Sequence, residues 1–229
     1  MKRSFDPATP EMMDRPQPVT AELVSDLRNL RQLNRHFGSY SLTRHFLGRW
    51  IQPGAQLCVL DLATGSGDIP RLVVDYARKV GAKVTVDAVD QQVSTLEIAR
   101  GLSADYPEID FKQGDVLSFG EAGQYDIVLC SLALHHFDET AAVRLLERCR
   151  DLSRRFVLVS DLRRGFLATV GVYFLTALIY RDPMTRTDGR LSAARAFSFR
   201  EFRSLAERAR WKNFGHRKFR FARQAIWLE

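Results

Sequence analysis

The stretch VLDLATGSGDIP, residues 59–70, decides how this 229-residue sequence is interpreted. It starts inside an apolar run that predicts a buried strand, and the segment DIPRLVVDYARKVG that follows has a helical pattern. Gly65 and Gly67 lie in the turn, where glycine lets the backbone adopt positive φ and approach a ligand closely. Asp61 on the strand would repel a pyrophosphate. The turn therefore predicts a binding site that favours a positively charged ligand.

Outward from this turn, apolar strands and helical segments alternate along the middle of the chain. Such alternation predicts a parallel sheet built from βαβ units. The last two strands are too close together for a crossover helix, so they should pair as an antiparallel hairpin. The predicted fold class is α/β, with a seven-stranded, mostly parallel sheet that ends in an antiparallel hairpin. The strands are predicted at 56–63, 83–90, 109–115, 125–134, 155–162, 213–220 and 222–228.

Helices are expected on both sides of this alternating region. Thr20 is a plausible N-cap for a first helix, and a second helix runs from about 41 to 50. The residues before position 20 are Pro-rich and polar, and we expect them to be loosely ordered. After the fifth strand we expect an apolar helix at 166–180, a polar loop, and a helix at 198–209.

The composition is that of a globular protein, with 45% hydrophobic and 27% charged residues. The sequence shows no secretory signal, and its longest apolar run, of 15 residues, is too short to span a bilayer as a helix, so we expect a soluble, cytoplasmic protein. Three cysteines without CxxC spacing predict no metal site. The net charge of +7 is concentrated in residues 181–229, which hold 13 Lys/Arg against 5 Asp/Glu. This region could bind nucleic acid, an anionic substrate or a membrane surface, or simply be solvated.

Acidic residues also follow the second and third strands. Asp90 ends the second strand, where a carboxylate can accept hydrogen bonds from both hydroxyls of a ribose. Asp115 and Val116 follow the third strand and are placed to hold an adenine by a hydrogen bond and an apolar contact. Each acidic residue could instead cap a turn or a helix. Together with Asp61, they put carboxylates on three successive strands.

The quoted stretch and three later ones resemble motifs I to IV of the class I S-adenosylmethionine-dependent methyltransferases. VLDLATGSGD is similar to the motif I of ubiquinone- and menaquinone-biosynthesis methyltransferases, and AVDQQ, GDV and YDIVLCSLALHHF are similar to the later motifs. The resemblance covers residues 55–162, and the N-terminal MMDRP stretch is similar to bacterial methyltransferases of phenolic polyketide pathways. It implies a Rossmann-like fold, S-adenosylmethionine as cofactor, and a cofactor pocket. The implied pocket residues are Asp61, Ala63, Gly65, Gly67, Asp90, Gln91, Asp115, Val116 and Ser131.

The resemblance also implies how the rest of the chain is used. Residues 1–50 would form an N-terminal helical cap in which Tyr40 and Arg44 contact the methionine end of the cofactor. Residues 51–229 would form the methyltransferase domain, with a substrate-covering insertion at about 163–197. The apolar run in that insertion needs a cover, which could be a lid over an apolar pocket, a contact in a homodimer or a membrane surface. Arg163, Arg164 and Arg181 flank it and could anchor an anionic group.

Two adjacent histidines, His135 and His136, end the fourth strand beside the expected methyl group. A phenol, an alcohol or an enolisable carbon must lose a proton before methylation, and an imidazole is suited to accept it. If this stretch is extended, successive side chains point to opposite faces, so the two rings should not share one role. One would face the substrate and the other would cap the next helix or pack in the core. His135 is the favoured base, with His136 or a purely structural pair as alternatives.

The sequence thus predicts a methyltransferase acting on a small apolar phenolic, quinol-like or polyketide acceptor, with O-methylation favoured over C-methylation. An RNA methyltransferase that uses the basic C-terminal region is the alternative. Against it stands the histidine pair in place of the Asn/Asp-Pro-Pro-aromatic stretch that binds amines in nucleobase methyltransferases. A non-enzymatic subunit that retains only the cofactor fold is a further alternative, and it conflicts with the intact cofactor positions.

Overall fold

One seven-stranded sheet organises the part of the chain that the structure, a computed structural model, describes: residues 2–165, 170–174 and 182–229. The strand order is β3-β2-β1-β4-β5-β7-β6. The first five strands are parallel, while β7 is antiparallel to both β5 and β6. The predicted α/β fold, with a mostly parallel sheet and an antiparallel C-terminal hairpin, is confirmed. The strands are Gln56–Leu62 (β1), Lys83–Asp90 (β2), Ile109–Gln113 (β3), Tyr125–Ser131 (β4), Ser153–Leu162 (β5), Gly215–Phe219 (β6) and Arg223–Leu228 (β7).

Helices cover both faces of the sheet because the buried strands present apolar side chains on both sides. In β4, Val128 belongs to one core cluster with residues of α5 and α7, whereas Ile127 and Leu129 belong to a second cluster with residues of α2 and α3. This alternation follows from the two-residue period of a strand. The helices are Ala21–His36 (α1), Ser39–Trp50 (α2), Asp68–Val80 (α3), Val93–Leu102 (α4), Glu139–Leu152 (α5), Pro183–Arg195 (α6) and Phe199–Arg208 (α7), with short 3-10 helices at Met12–Asp14 and Leu134–His136.

Residues 2–20 are attached to the rest of the protein by several long-range hydrogen bonds, which differs from the loosely ordered segment that the composition indicated. The Arg3 Nη2 atom donates hydrogen bonds to the carbonyls of His135 (3.1 Å) and Phe137 (2.6 Å). The 3-10 helix at Met12–Asp14 is tied to α6, because the Asp188 carboxylate accepts hydrogen bonds from two of its backbone N–H groups. Thr20 caps α1 as predicted, its hydroxyl accepting from the Leu23 N–H. Long-range polar contacts, which a composition does not reveal, order this segment.

The polar loop expected between the apolar run and α7 is wrong, because Pro183–Arg195 forms α6. The helix begins at Asp182, whose side chain accepts from the Thr185 N–H, and a proline occupies its first turn, where no N–H is needed. Its buried face includes the polar side chains of Thr185 and Asp188. A helix whose buried face is partly polar lacks the apolar periodicity by which helices are predicted.

Most of the apolar helix predicted at 166–180 lies outside the described residues, and so does Arg181. Residues 170–174 are described and are helical. Among the described residues, no helix combines the length and the apolar character needed to cross a bilayer.

Candidate active site

A cavity of about 650 Å³ lies at the carboxyl ends of β1, β4 and β5. Its walls come from the N-terminal segment, α1, the turn after β1, the end of β4 and α6. Carboxyl ends of parallel strands are where ligands bind in open α/β sheets. Most of its lining side chains are apolar or uncharged. The apolar ones include Met13, Leu27, Leu30, Leu33, Phe37, Ile69, Leu132, Leu162, Val172 and Phe221.

The main chain of the turn after β1 forms part of the cavity wall. Ala63 and Gly65 line it and have positive φ angles of 57° and 54°. A Cβ at Gly65 would meet no atom within 4 Å, so the space beside it is open to a ligand. Gly67 does not line the cavity. It has φ 71° as the N-cap of α3, and a Cβ there would come within 2.8 Å of the Phe111 ring. Both predicted glycines thus have the positive φ that glycine adopts most readily. Gly65 lines the cavity, whereas Gly67 packs against Phe111.

Asp61 lies on the cavity wall beside this turn. Its side chain is buried, and burial raises its pKa to about 8 because a carboxylate loses hydration there. The nearby Asp68 and Asp90 carboxylates raise the pKa further. A cationic group in the cavity would offset this penalty, which is the charge preference that the sequence indicated.

The other predicted adenosine contacts lie along the adjoining sheet edge rather than on the cavity. The Asp90 carboxylate accepts hydrogen bonds from the backbone N–H groups of Gly65 (2.8 Å) and Gln92 (3.0 Å). Gln91 is exposed. Asp115 is also exposed, and it accepts from the Leu117 N–H within its own turn, whereas Val116 is buried in the core. Their use in binding adenosine stays a prediction.

Tyr40 and Arg44 do not line the cavity. Burial raises the pKa of Tyr40, and the adjacent Asp68 carboxylate adds to the rise. Arg44 is exposed, with its guanidinium 5.8 Å from the Tyr40 ring centre. The polar side chains that line this side of the cavity are Asp68 and Asn34, whose amide nitrogen donates to Asp68 Oδ2 at 3.0 Å. A role for Tyr40 at the methionine end would act through Asp68.

The end of β4 places Ser131 on the cavity wall, where it lies beside Ser160 of β5. The arginines after β5 differ from each other. Arg163 lines the cavity, whereas Arg164 donates to the Ala196 carbonyl and pairs with Glu201 at 2.7 Å. Of the two described arginines predicted to anchor an anionic group, Arg163 is thus the one that faces the cavity.

His135 and His136 both line the cavity, which corrects the expectation that they face opposite ways. They lie in the 3-10 helix at Leu134–His136, where successive side chains are about 120° apart instead of 180°. Their ring centres are 4.3 Å apart. Neither ring caps the following helix, because the N-cap of α5 is Asp138.

Asp161, at the end of β5, holds His135 at two points. One carboxylate oxygen accepts from the His135 backbone N–H at 2.8 Å, and the other lies 2.7 Å from Nδ1 of the ring. The Nδ1 atom therefore donates to Asp161, and the Nε2 atom is left to face the cavity. Nε2 lies 3.7 Å from Glu11 Oε1, which is beyond hydrogen-bond distance.

His136 has a parallel arrangement with residues of the N-terminal segment. Its Nδ1 lies 2.6 Å from Asp14 Oδ2, and its Nε2 lies 3.8 Å from Glu11 Oε2. Burial alone would lower the pKa of His136, but the Glu11 and Asp14 carboxylates outweigh burial and raise it to about 10. His136 is therefore a cation at neutral pH when nothing else is bound, and it is not suited to accept a proton.

Glu11, Asp14 and Asp161 are functional candidates that sequence reasoning missed. Glu11 and Asp14 lie in the Pro-rich segment before the first helix, where nothing in the local pattern marks a buried acidic residue. Asp161 had a signal, because it lies near the carboxyl end of β5 after four buried residues, and Asp61 and Asp90 likewise follow buried residues, two in each case, near the carboxyl ends of β1 and β2.

The sequence is similar to known methyltransferases. Residues 59–155 match the family model described as a methyltransferase domain. Over 88 residues the chain is 35% identical to a 2-phytyl-1,4-naphtoquinone methyltransferase of Thermosynechococcus vestitus, a match that covers 38% of each protein. It is 28% identical over 145 residues to a ubiquinone biosynthesis O-methyltransferase of Paraburkholderia xenovorans, covering 57% of this chain and 58% of that one. The chain thus matches less than two thirds of the length of these curated relatives.

The fold also has solved counterparts. Human N-acetylserotonin methyltransferase, solved in complex with SAM, superposes with a TM-score of 0.63 over 90% of this chain and 55% of that chain. The sequence identity in this comparison is 18%, so the likeness concerns the fold.

Proposed function

We propose that this chain, a class I methyltransferase by its domain family and its fold, transfers a methyl group from S-adenosylmethionine to a hydroxyl of a small apolar acceptor. The acceptor would be phenolic, quinol-like or polyketide-derived, in line with the quinone-related names of the curated relatives. The observation that carries the proposal is that Asp61, the glycine turn and the two histidines all line the same cavity. A cytoplasmic location and a homodimer stay predictions.

The residues at the glycine turn fit S-adenosylmethionine. This cofactor carries an activated methyl group on a sulfonium, next to an ammonium, so it brings positive charge to the site. The buried Asp61 carboxyl, whose pKa of about 8 keeps it protonated in the empty site at neutral pH, would ionise beside that charge and become its negative partner, and the open space beside Gly65 lets the ligand approach the backbone. Ala63 and Ser131 complete the cavity side, while Gly67, Asp90, Gln91, Asp115 and Val116 would hold the adenosine half along the adjoining edge.

The acceptor side of the cavity supports an apolar, ring-bearing molecule. The cavity volume falls within the range of roughly 300–1,000 Å³ typical of small-molecule sites. The side chains of α1 that face it are mostly leucines, and Phe37 and Phe221 add aromatic surface that lies in edge-to-face contact. Burying apolar surface of the acceptor here contributes about 25 cal/mol per Å².

The histidine pair supports methylation at oxygen in preference to carbon. A neutral hydroxyl is a weak nucleophile and must lose its proton as the new bond forms. His135 Nε2 faces the cavity, and the contact of Nδ1 with Asp161 fixes the ring in the orientation that presents Nε2 to the acceptor. The acceptor oxygen bonds to the methyl carbon as the carbon–sulfur bond breaks, the bonding electrons stay on sulfur, and the hydroxyl proton goes to His135. His136, as a cation, would stabilise the negative charge that develops on that oxygen.

The alternative of an RNA methyltransferase would have to use the exposed part of the C-terminal charge. Arg195 and Arg223 are buried and are therefore not available to phosphate groups. Arg203 and Arg208 are exposed and form surface ion pairs with Glu207 and Glu139, and such pairs are weak.

Calorimetry tests the cofactor part of the proposal. We expect wild type to bind S-adenosylhomocysteine and S-adenosylmethionine, and Asp61→Asn to bind S-adenosylmethionine at least tenfold more weakly, because it loses the charge that faces the ligand. Asp105→Asn, which changes an exposed carboxylate, is the matched control and should bind like wild type. No heat from either ligand with wild type, or equal affinity of the two variants, would contradict the proposal.

Turnover on a panel of phenols, quinols and RNA tests the acceptor. We expect methoxy products, which NMR distinguishes from C-methyl products. The kcat of His135→Asn should be at least about 100-fold lower than that of the wild type. Circular dichroism and S-adenosylhomocysteine binding of that variant should match wild type. Methylated RNA with untouched phenols would support the alternative instead.

A further inference from the structure

Glu11, His135 and His136 form a cluster whose donor atoms face one another across a small gap. One ligand atom from each residue lies within 4.8 Å of the other two. The His135 and His136 Nε2 atoms lie 3.7 Å and 3.8 Å from the two oxygens of the Glu11 carboxylate. All three residues line the cavity, so the gap opens onto the space assigned to the acceptor.

The separation of these atoms suits a shared ion better than direct contact. A hydrogen bond between nitrogen and oxygen is about 2.7–3.2 Å long, so none joins either Nε2 atom to Glu11. Zinc binds histidine nitrogen at about 2.0–2.1 Å and carboxylate oxygen at about 2.0–2.2 Å, which puts two ligands of one tetrahedral ion roughly 3.4 Å apart. The two nitrogen–oxygen distances exceed that value by about 0.3–0.4 Å, and all separations within the trio stay within 4.8 Å.

Each member of the cluster is also held by a second polar group. Nδ1 of His135 is held by Asp161 at 2.7 Å, and Nδ1 of His136 by Asp14 at 2.6 Å. The Ser192 hydroxyl of α6 donates to Glu11 Oε1 at 2.8 Å. Metal-binding histidines almost always donate their second ring nitrogen to such a carboxylate, which leaves the other nitrogen for the ion. Both imidazoles here follow that arrangement.

Three carboxylates lie beside the two imidazoles, so a divalent ion that replaced the proton of His136 would keep the cluster's charge compensated. Glu11 and Asp161 are 2% and 1% exposed, and Asp14 is a third carboxylate, in contact with the His136 ring. Buried carboxylates are costly unless they are paired or bind a metal. The neighbouring guanidinium groups of Arg3 and Arg195 donate to backbone carbonyls, Arg3 to those of His135 and Phe137 and Arg195 to those of Asp6 and Thr9.

We propose that Glu11, His135 and His136 bind a divalent transition-metal ion at the wall of the cavity, with a coordination position open to the acceptor. Two imidazoles and one carboxylate suit Zn²⁺, Mn²⁺, Fe²⁺ or Co²⁺ and disfavour Ca²⁺, which takes oxygen ligands. The site replaces the prediction of no metal site, which rested on cysteine spacing alone.

The ion site does not depend on the proposed function, but the effect of the ion on the acceptor hydroxyl rests on it. An ion held by both Nε2 atoms would occupy the position where His135 otherwise accepts the proton. The acceptor hydroxyl would then be acidified by the cation, and its proton would pass to solvent. Metal-loaded and metal-free protein would therefore differ in how methyl transfer depends on pH.

Titration of chelator-treated, tag-free protein with Zn²⁺ by calorimetry, and with Co²⁺ by visible absorption, tests the site. We expect one ion per chain with a micromolar or lower Kd, and Co²⁺ bands typical of nitrogen and oxygen ligands. Glu11→Gln and His136→Asn should each weaken Zn²⁺ binding at least 100-fold. Asp161→Asn should weaken it by about 10- to 100-fold, because it frees the His135 ring.

His36→Gln is the matched control, since His36 is exposed at the end of α1 and should leave ion binding unchanged. If His136→Asn fails to fold by circular dichroism, Glu11→Gln carries the test. No Zn²⁺ binding by wild type, or binding that Glu11→Gln leaves at the wild-type level, overturns the proposal. S-adenosylhomocysteine binding by the chelated protein reports separately on the proposed function, so the two failures are distinguishable.

Discussion

Asp26 is a buried carboxyl group where α1 meets α6. The Thr185 hydroxyl donates to its Oδ1 atom at 2.7 Å, and Asn29 in turn donates to that hydroxyl at 3.0 Å. Burial raises the pKa of Asp26 to about 7, and the nearby Asp188 and Asp182 carboxylates contribute. The same effect raises the pKa of Asp61 to about 8. Both groups hold a proton in the folded state at a pH where the unfolded chain has lost it.

These shifts predict that stability falls as the pH rises from 6.5 to 8.5. An aspartate in the unfolded chain has a pKa near 3.8, so below its folded pKa each of these carboxyls binds a proton that the unfolded chain has lost. The unfolding free energy therefore falls as the pH rises, until the pH passes about 7 for Asp26 and about 8 for Asp61. Asp26→Asn should reduce the fall by about 0.8 kcal/mol, because the Asp26 contribution ends once the pH passes about 7. Urea unfolding at the two pH values measures it. Asp105→Asn is the control, and an Asp26→Asn slope equal to that of the control would contradict the assignment.

Single residues also show which parts of the site were predictable. Asp61 and Gly65 were identified because a buried strand followed by a glycine turn is a local pattern, and both line the cavity. The histidine pair was identified, but its geometry was not, because so short a stretch of sequence does not distinguish a 3-10 turn from the extended end of a strand. Glu11 was missed because its burial depends on contacts with α6 and with the two histidines.

The hairpin of β6 and β7 is an element whose tight packing depends on one glycine. Gly215 pairs with Trp227 across the hairpin, and a Cβ at position 215 would lie 2.0 Å from the indole ring. A side chain cannot occupy that space unless the ring or the strand moves. β7 in turn pairs with β5, which carries Asp161, so the hairpin is coupled to the histidine site through the sheet.

Replacing this glycine should therefore destabilise the protein, whereas a helical glycine should behave in the opposite way. Gly215→Ala is expected to lower the unfolding free energy by about 2–3 kcal/mol through overpacking. Gly101 lies inside α4, and a Cβ at that position would meet no atom within 4 Å, so Gly101→Ala should raise the unfolding free energy by about 0.5–1 kcal/mol. Urea unfolding of both variants gives the comparison. A Gly215→Ala protein as stable as wild type would show that the ring has alternative space.

At the scale of the whole molecule, the cavity is closed by elements from both ends of the chain. The N-terminal segment brings Glu11 and Met13 to it, and α6 brings Thr185, Ser192 and Ala193. The two Asp188 oxygens fasten them together by accepting from the Met12 and Met13 N–H groups. Access to the cavity should therefore depend on this attachment.

Asp188→Ala should release the N-terminal segment without unfolding the sheet. Losing two hydrogen bonds to a charged group, each contributing about 1.5–3 kcal/mol, should speed cleavage by a glutamate-specific protease after Glu11, which is buried in the wild type, at least about tenfold. We also expect slower turnover on a phenol substrate, because Glu11 and Asp14 would leave the histidines. Thr187→Ala, an exposed neighbour on the same helix, is the control. Equal cleavage rates in the two variants would show that other contacts, such as those of Arg3, hold the segment.

The sequence by itself determined the sheet, its parallel core, the hairpin and the turn beside Asp61. These features follow from the two-residue period of strands, from the spacing of apolar runs and from the φ angles that glycine allows, all of which are local. Only the tertiary structure brought Asp14 to His136, 122 positions away, and Asp161 to His135. It also made α6 a helix with polar groups in its buried face. Polar contacts between distant segments carry no periodic signal, because each needs only one residue on each side, and the histidine site is built from such contacts.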